Sequence, residues 1–323
     1  MRRVETLFLP QEGLDPIWRE EIERSVGPRH NLSIFDGNEK IETQFRGKEA
    51  VLDTGGSVGN RAMYDAAVDA KLWQIIGTGI DHIDIDYMKT KGFAISNCPG
   101  EFSSVALAEY AMMFIIMLSR RYHESQTNFH AGNLYSPTSS ELVGKILAIV
   151  GFGASGQELA RRARAFGMRI RAIDVRPIES AIVDELRPEY LGNPSDLDGL
   201  AAECDFISLH LHLTPETRHT IDARRIALMK PSACIINVAR GALVDEEAMY
   251  LALLDGRLGG AGLDVFAHEP PDSAHPVYSL PNVVVTPHVS GATDGTARRR
   301  ASAATSNLDR IARGLEPLYR VDR

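Results

Sequence analysis

One junction constrains this 323-residue chain more than any other feature. The apolar run Ile146-Leu-Ala-Ile-Val150 leads directly into Gly151-Phe152-Gly153-Ala154-Ser155-Gly156, and an amphipathic pattern from Ser155 to Phe166 follows, with Gly167 as its stop. A strand that turns on glycines into a helix opens a nucleotide-binding βα unit. Gly151 permits the tight turn, Gly153 lets backbone approach a pyrophosphate, and Gly156 lets helix and strand pack closely. A pyrophosphate is therefore expected on the helix N-terminus, against Phe152, Ala154 and Ser155. The next strand, Arg169 to Ile173, ends on Asp174, 18 residues beyond Gly156, where a carboxylate would hold the adenosine ribose hydroxyls. Such a carboxylate repels a 2′-phosphate, so NAD is expected over NADP; Arg176, a residue type that accommodates the phosphate, tempers this.

The same rhythm extends in both directions. Strand-like runs at Leu72–Ile76 and Phe93–Ser96 alternate with a helical pattern from Asn60 to Lys71. Further strands are expected at Phe206–Leu209, Ala233–Val238, Gly260–Val265 and Val283–Thr286, and a last helix from Gly295 to Arg313. Strands alternating with helices imply an α/β fold with parallel sheets. At this length two domains are expected rather than one. The apolar stretch Val105–Leu118 contains Glu109 and falls short of the roughly 20 residues of a membrane span, so it reads as a buried helix.

Composition narrows the partners. A net charge of −8 argues against nucleic acid or an anionic membrane, and the basic run Arg298-Arg299-Arg300 reads as a solvated helix face. Three cysteines, Cys98, Cys204 and Cys234, fit neither a disulfide framework nor a zinc site, and a reducing cytoplasm is expected.

Hydride transfer to a keto acid requires a cation for the carboxylate, a proton donor at the carbonyl oxygen, and a group that keeps this donor charged. Residues of these types follow successive strands: Arg240 in Asn237-Val-Ala-Arg240-Gly, Asp264 and Glu269 in Gly262-Leu-Asp264-Val-Phe-Ala-His-Glu269, and His288 in Thr286-Pro-His288-Val-Ser-Gly291. Ligands of open α/β sheets bind outside the carboxyl ends of the strands. Each residue has an ordinary structural use when taken singly, a helix-end ion pair, a loop charge or a core histidine, but their succession beside a nucleotide loop favours a site.

These blocks, with Gly77-Thr-Gly-Ile-Asp-His-Ile-Asp84 and His210-Leu-His-Leu-Thr-Pro-Glu-Thr217, resemble the D-isomer-specific 2-hydroxyacid dehydrogenase family in order and approximate spacing along nearly the whole chain. The resemblance implies two Rossmann-like domains: a discontinuous substrate-binding (catalytic) domain, 1–100 and 291–323, and an inserted NAD-binding domain, 101–290. It implies a cytoplasmic homodimer formed through the inserted domain, including the Val105 helix. It implies that Arg240 binds the substrate carboxylate and carbonyl oxygen, that His288 is the acid/base, and that Glu269 stabilises the imidazolium. A neighbouring carboxylate favours a charged histidine, so reduction of a keto acid should extend to higher pH than a free imidazole allows. Backbone N–H groups at Thr78 and Gly79 should take the carboxylate and Asp264 should position the nicotinamide carboxamide. His210, Thr214, Val238, Ala239, His288 and Gly291 should complete the cofactor contacts, with no metal involved.

Two departures stand out. Where the family often has His-x-Pro-x-Thr, this chain has His210-Leu-His212-Leu-Thr214, which raises a zinc site as the alternative. Asp53-Thr-Gly-Gly-Ser57 is less bulky than the family's substrate-facing loop and reads either as room for a larger or polar substrate or as a plain βα turn. Glyoxylate or hydroxypyruvate reduction is the favoured activity. Phosphoglycerate oxidation is the alternative, and a non-catalytic NAD(H)-sensing protein like the family's corepressors is a third reading. The substrate's side chain would be selected near Asp53–Ser57 and Phe102–Ser104.

Overall fold

Residues such as Phe8, Val51, Leu52 and Trp73 in one sheet, and Leu147, Ile149, Ile207 and Ile235 in another, have no exposed surface. Continuous burial of this kind belongs to parallel strands covered by helices on both faces. The computed structural model describes residues 2–54 and 59–323. The chain forms two compact units, one of Met1–Phe102 with Ala292–Arg323 and one of Ser103–Gly291.

In the first unit, β1 (Glu5–Leu9), β2 (Asn31–Ile34), β3 (Ala50–Asp53), β4 (Leu72–Ile75) and β5 (Ala94–Ser96) lie in the order β2-β1-β3-β4-β5, and every pairing is parallel. One face is covered by the helices Ile17–Val26 and Asp294–Ala312, through Trp18, Ile22, Ala301, Ala304 and Leu308. The other face is aromatic. Trp73 stacks on Phe45 and Phe93, meets Tyr64 edge-on, and donates its indole N–H to Asp53 Oδ2 at 3.1 Å.

The second unit carries β6 (Ile146–Val150), β7 (Arg169–Ile173), β8 (Tyr190–Gly192), β9 (Phe206–Leu209), β10 (Cys234–Asn237), β11 (Gly260–Leu263) and β12 (Val283–Val285). Their order is β12-β11-β10-β9-β6-β7-β8, again wholly parallel. The order reverses between β6 and β9, so the loops leaving these two strands run to opposite sides and open a crevice at their carboxyl ends.

Most expected elements appear with boundaries shifted by a residue or two, the normal fraying of helix and strand ends. Three readings need correction. The helix expected over Asn60–Lys71 spans only Arg61–Ala66. The Asn60 side chain caps its start, but Asp69 accepts from the Gly47 N–H and Lys71 N–H already bonds to Glu49, so the chain must leave the helix early to enter β4. The apolar helix, Ser104–Ser119, buries Ala108, Ala111, Phe114 and Ile115 completely, but Met113, Ile116 and Met117 remain partly uncovered. The basic run is not a uniformly solvated face: Arg298 is exposed, Arg299 donates to the Phe102 carbonyl, and Arg300 turns inward to Thr78.

The glycine-rich turn read at Asp53–Ser57 falls partly on residues 55–58, outside the described residues. All three cysteines are free and buried, and desolvation pushes each thiol up to about 12. Among the described residues no helix is long and apolar enough to cross a membrane.

Because Trp73 fills the centre of the aromatic face, Trp73→Ala is expected to destabilise the protein by about 3–5 kcal/mol. Denaturant unfolding monitored by circular dichroism checks this; a change below about 1 kcal/mol would mean that the face is loosely packed.

Candidate active site

The nucleotide loop is shaped by contacts that leave no room for side chains. Gly151 has φ of +94°, and a Cβ there would lie 2.4 Å from the His210 carbonyl oxygen. A Cβ on Gly156, inside the helix Ala154–Ala165, would lie 2.3 Å from the Gly151 carbonyl. At Gly153, by contrast, the only heavy atom within 4 Å of such a Cβ is the tip of the Arg176 guanidinium, at 3.3 Å. The backbone at Gly153 is thus open where the helix presents its first N–H groups, which suits a pyrophosphate.

Asp174 lies at the end of β7 with one oxygen turned to the loop, accepting the Phe152 N–H at 2.8 Å. Its other oxygen accepts from the backbone N–H and Nε of Arg176, at 2.9 and 3.2 Å. Phe152 itself gives its side chain wholly to the core, so only its backbone belongs to the loop. Ala154 is exposed in the first helical turn, and Thr214 is exposed in a turn closed by Thr217. Val238 and Ala239 are buried, with the Ala239 N–H held by Asn237 Oδ1.

His210 is a strut. Its Nε2 lies 2.9 Å from Ser208 Oγ and its Nδ1 lies 2.9 Å from Ser155 Oγ, which joins the end of β9 to the glycine loop. Desolvation pushes its pKa down to about 4, so near neutrality it is an uncharged link between two hydroxyls. Both ring nitrogens are therefore engaged, and no group of three metal-ligating side chains occurs among the described residues.

At the carboxyl ends of β10, β11 and β12 the acid–base residues come together. His288 Nδ1 lies 2.8 Å from Glu269 Oε2, while Glu269 Oε1 accepts the Phe266 N–H at 3.0 Å. Burial pushes the Glu269 carboxyl up, but the bonds from His288 and Phe266 and the charge of Arg240 outweigh it, and the net shift is below the usual range. Arg240 is fixed through its backbone, with its carbonyl accepting from Asn237 Nδ2 at 2.8 Å. The segment after it runs hard against the one that carries Glu269: a Cβ on Gly241 would lie 1.8 Å from the Phe266 carbonyl carbon.

Asp264 holds the segment around His288. It has no exposed surface, and its carboxylate accepts from Thr286 Oγ1 at 2.6 Å, Val289 N–H at 2.8 Å and Ser290 N–H at 2.7 Å. It therefore grips the loop on both sides of His288, whose φ of 55° is left-handed and strained for a residue with a Cβ. Glu246 does the same for the neighbouring segment, accepting the Ala267 N–H at 2.7 Å. Thr286, Glu246 and Ser208 were not singled out from sequence. Gly291 is partly buried at the end of the same unit. Thr78 and Gly79 belong to the other unit, in the loop after β4, where the Thr78 carbonyl accepts from Asn97 Nδ2 at 2.8 Å.

A sheet that offers a dinucleotide cradle at its switch point and an imidazole–carboxylate pair three strands away is that of a pyridine-nucleotide oxidoreductase. The sequence model for the NAD-binding domain of D-isomer specific 2-hydroxyacid dehydrogenases matches residues 112–290, and the chain belongs to the D-isomer specific 2-hydroxyacid dehydrogenase family, as an NAD-dependent oxidoreductase. It is 41% identical over 240 residues to the hydroxypyruvate reductase of Thermotoga maritima, covering 73% of this chain and 75% of that one. It is 34% identical to the glyoxylate reductase of Thermococcus onnurineus, over 98% of this chain and 95% of the relative. A D-3-phosphoglycerate dehydrogenase of Methanocaldococcus jannaschii is 33% identical over 85% of this chain, which spans only about half (52%) of that protein. Among solved structures, the NAD-complexed D-isomer specific 2-hydroxyacid dehydrogenase of Lactobacillus delbrueckii superposes with a TM-score of 0.81 at 26% identity, over 98% of this chain and 99% of that one.

Asp264→Asn keeps the shape of the clamp but turns an N–H₂ toward at least one donor. It is expected to cost about 1–3 kcal/mol of stability, measured by denaturant unfolding. An unchanged midpoint would mean that the three bonds contribute nothing to the hold on the His288 loop.

Proposed function

We propose that the protein reduces a small 2-keto acid of the glyoxylate or hydroxypyruvate kind to its 2-hydroxy acid, with Arg240, Glu269 and His288 as catalytic residues. The observation that carries this reading is the 2.8 Å contact between His288 Nδ1 and Glu269. It assigns the Nδ1 proton to the carboxylate and leaves Nε2 as the nitrogen that faces substrate. Both side chains are partly exposed, 46% and 38%, as groups that meet a substrate must be. Relatives named for glyoxylate and hydroxypyruvate reduction support the substrate class.

Bound NADH supplies the hydride to the carbonyl carbon. As that carbon accepts the electron pair, the carbonyl oxygen becomes basic and takes the Nε2 proton of the His288 imidazolium. The imidazole left behind keeps its Nδ1–H on Glu269, and the next proton enters from solvent. Glu269 stays a carboxylate throughout, in keeping with its lowered pKa. Arg240 holds the substrate carboxylate and carbonyl oxygen, and the backbone N–H groups of Thr78 and Gly79 are further donors to the carboxylate. In this reading the unit of Ser103–Gly291 binds NAD, with Asp174 on the ribose hydroxyls, and the other unit serves the substrate.

The surface of the NAD-binding unit supports a homodimer. Met113, Ile116, Met117 and Phe166 line a shallow apolar hollow, and Phe129, Leu134 and Val143 are each about 70% exposed. So much apolar surface in one unit is the mark of an interface. Sedimentation equilibrium should give twice the chain mass, with Met117→Glu shifting the species toward monomer; a monomeric wild type overturns the assignment.

Oxidation of NADH at 340 nm with glyoxylate, hydroxypyruvate, pyruvate and 2-oxoglutarate tests the activity. His288→Ala is expected to lower kcat by roughly 10²- to 10⁴-fold with NADH affinity retained. Glu269→Gln, which removes the carboxylate that accepts the His288 Nδ1–H, should lower kcat with NADH affinity retained. Tight NADH binding without turnover on any acid would point instead to a sensing protein.

A further inference from the structure

Three arginines follow one another on the helix Asp294–Ala312, and they do different things. Arg298 is exposed and pairs with Asp294. Arg299 donates to the Phe102 carbonyl. Arg300 turns into the fold, where Nη2 donates to Thr78 Oγ1 at 3.1 Å and Nη1 reaches the Ile76 carbonyl at 3.4 Å. Its Nε is shielded from solvent with no hydrogen-bond partner among the described residues, and its acceptors there are neutral oxygens rather than a carboxylate.

A shielded cation without a counter-charge is costly. The Trp18 ring, 5.6 Å from the guanidinium carbon, offsets part of that cost, yet an apolar side chain would pack on the same ring with none of it. Desolvation pulls the Arg300 pKa below its ordinary value, but a guanidinium starts so high that the charge persists. What the charge faces is the loop after β4. It holds the Ile76 carbonyl at the strand's end and the Thr78 hydroxyl, and both flank Gly77.

We infer that Arg300 is a positioning residue for the substrate carboxylate, acting through Thr78 and the loop from Ile76 to Gly79. This rests on the reading that the backbone N–H groups of Thr78 and Gly79 take that carboxylate. Two effects follow from the geometry. The loop is fixed by charge-assisted bonds, so its N–H groups need no reordering when the anion arrives. The buried charge also places a positive potential behind those N–H groups, in a setting where water screens it weakly.

Oxamate, an unreactive analogue of a keto acid, titrated into the enzyme–NADH complex and followed by NADH fluorescence, tests this without turnover. Arg300→Met is expected to weaken oxamate binding by roughly tenfold or more, and Arg300→Lys by no more than about threefold, with NADH affinity unchanged in both. Thr78→Val keeps the backbone N–H and removes only the acceptor of the Arg300 bond, and it should weaken oxamate in the same direction. The inference is overturned if Arg300→Met or Thr78→Val binds oxamate as the wild type does. It is also overturned if Arg300→Lys loses as much as Arg300→Met, since shape rather than charge would then matter. Arg240→Met separates the two levels: loss of oxamate there with retention in Arg300→Met removes only the role of Arg300. Retention in Arg240→Met removes the underlying reading of the carboxylate site, and the role of Arg300 with it.

Discussion

The Asp264 carboxylate is the point on which the acid–base site turns. Its oxygens accept from Thr286, Val289 and Ser290, so the chain on both sides of His288 is tied to the end of β11. Only with such a hold does a histidine keep a left-handed backbone, which for a residue with a Cβ costs of order 1 kcal/mol or more. That conformation delivers Nδ1 to Glu269, and Glu269 is itself oriented by the Phe266 N–H. A second glutamate, Glu246, fixes the adjoining Ala267, and Gly241 lets the Arg240 strand end lie directly against this segment. The three chemical groups thus stand on three strand ends whose loops are bonded to one another, and each is placed by a partner within the unit.

Burial separates the two histidines that sequence alone leaves alike. His210 lies between two serine hydroxyls, and desolvation takes its charge away. A neutral imidazole is well suited to a strut, because one nitrogen donates and the other accepts. His288 is half-exposed and has a carboxylate partner instead of hydroxyls. The same side chain is therefore a fixed link at the cofactor loop and, in the proposed mechanism, a proton carrier three strands further on.

Most of the architecture was legible because its signals are local. Strand, glycine turn, helix and acid lie within 29 consecutive residues from Ile146 to Asp174, and each leaves its own residue pattern. The nearness of Arg240, Glu269 and His288 was legible because such residues follow successive strands beside a nucleotide loop, although each taken singly has an ordinary structural use. What escaped depends on contacts distant in sequence. Nothing near Asp264 says that its acceptors are filled by residues 286–290, nothing at Glu246 points to Ala267, and the early end of the helix at Ala66 is decided by Glu49 across the sheet. The arginine run misled because three like charges in sequence were read as one face, whereas at about 100° per residue a helix must point three neighbours in three directions.

An acidic chain that binds two anions, a dinucleotide and a keto acid, must overcome its own net charge of −8. Screening makes this possible. At physiological ionic strength exposed charges are damped beyond about 8 Å, so the overall charge contributes little at any one site. What remains is local: the helix N-terminus at Gly153, the Arg176 guanidinium above it, Arg240 at the end of β10 and, in its proposed role, Arg300 behind the Thr78 loop. Arg176 and Asp174 neutralise one another where a ribose is to be held, so that region selects by hydrogen bonding rather than by charge. Arg300 meets no such partner among the described residues, and an unneutralised cation attracts whatever anion the adjacent backbone can receive. On the proposed reading, a compensated charge pair serves a neutral sugar and an uncompensated charge serves a carboxylate, so each region is matched to the charge of the group it would receive.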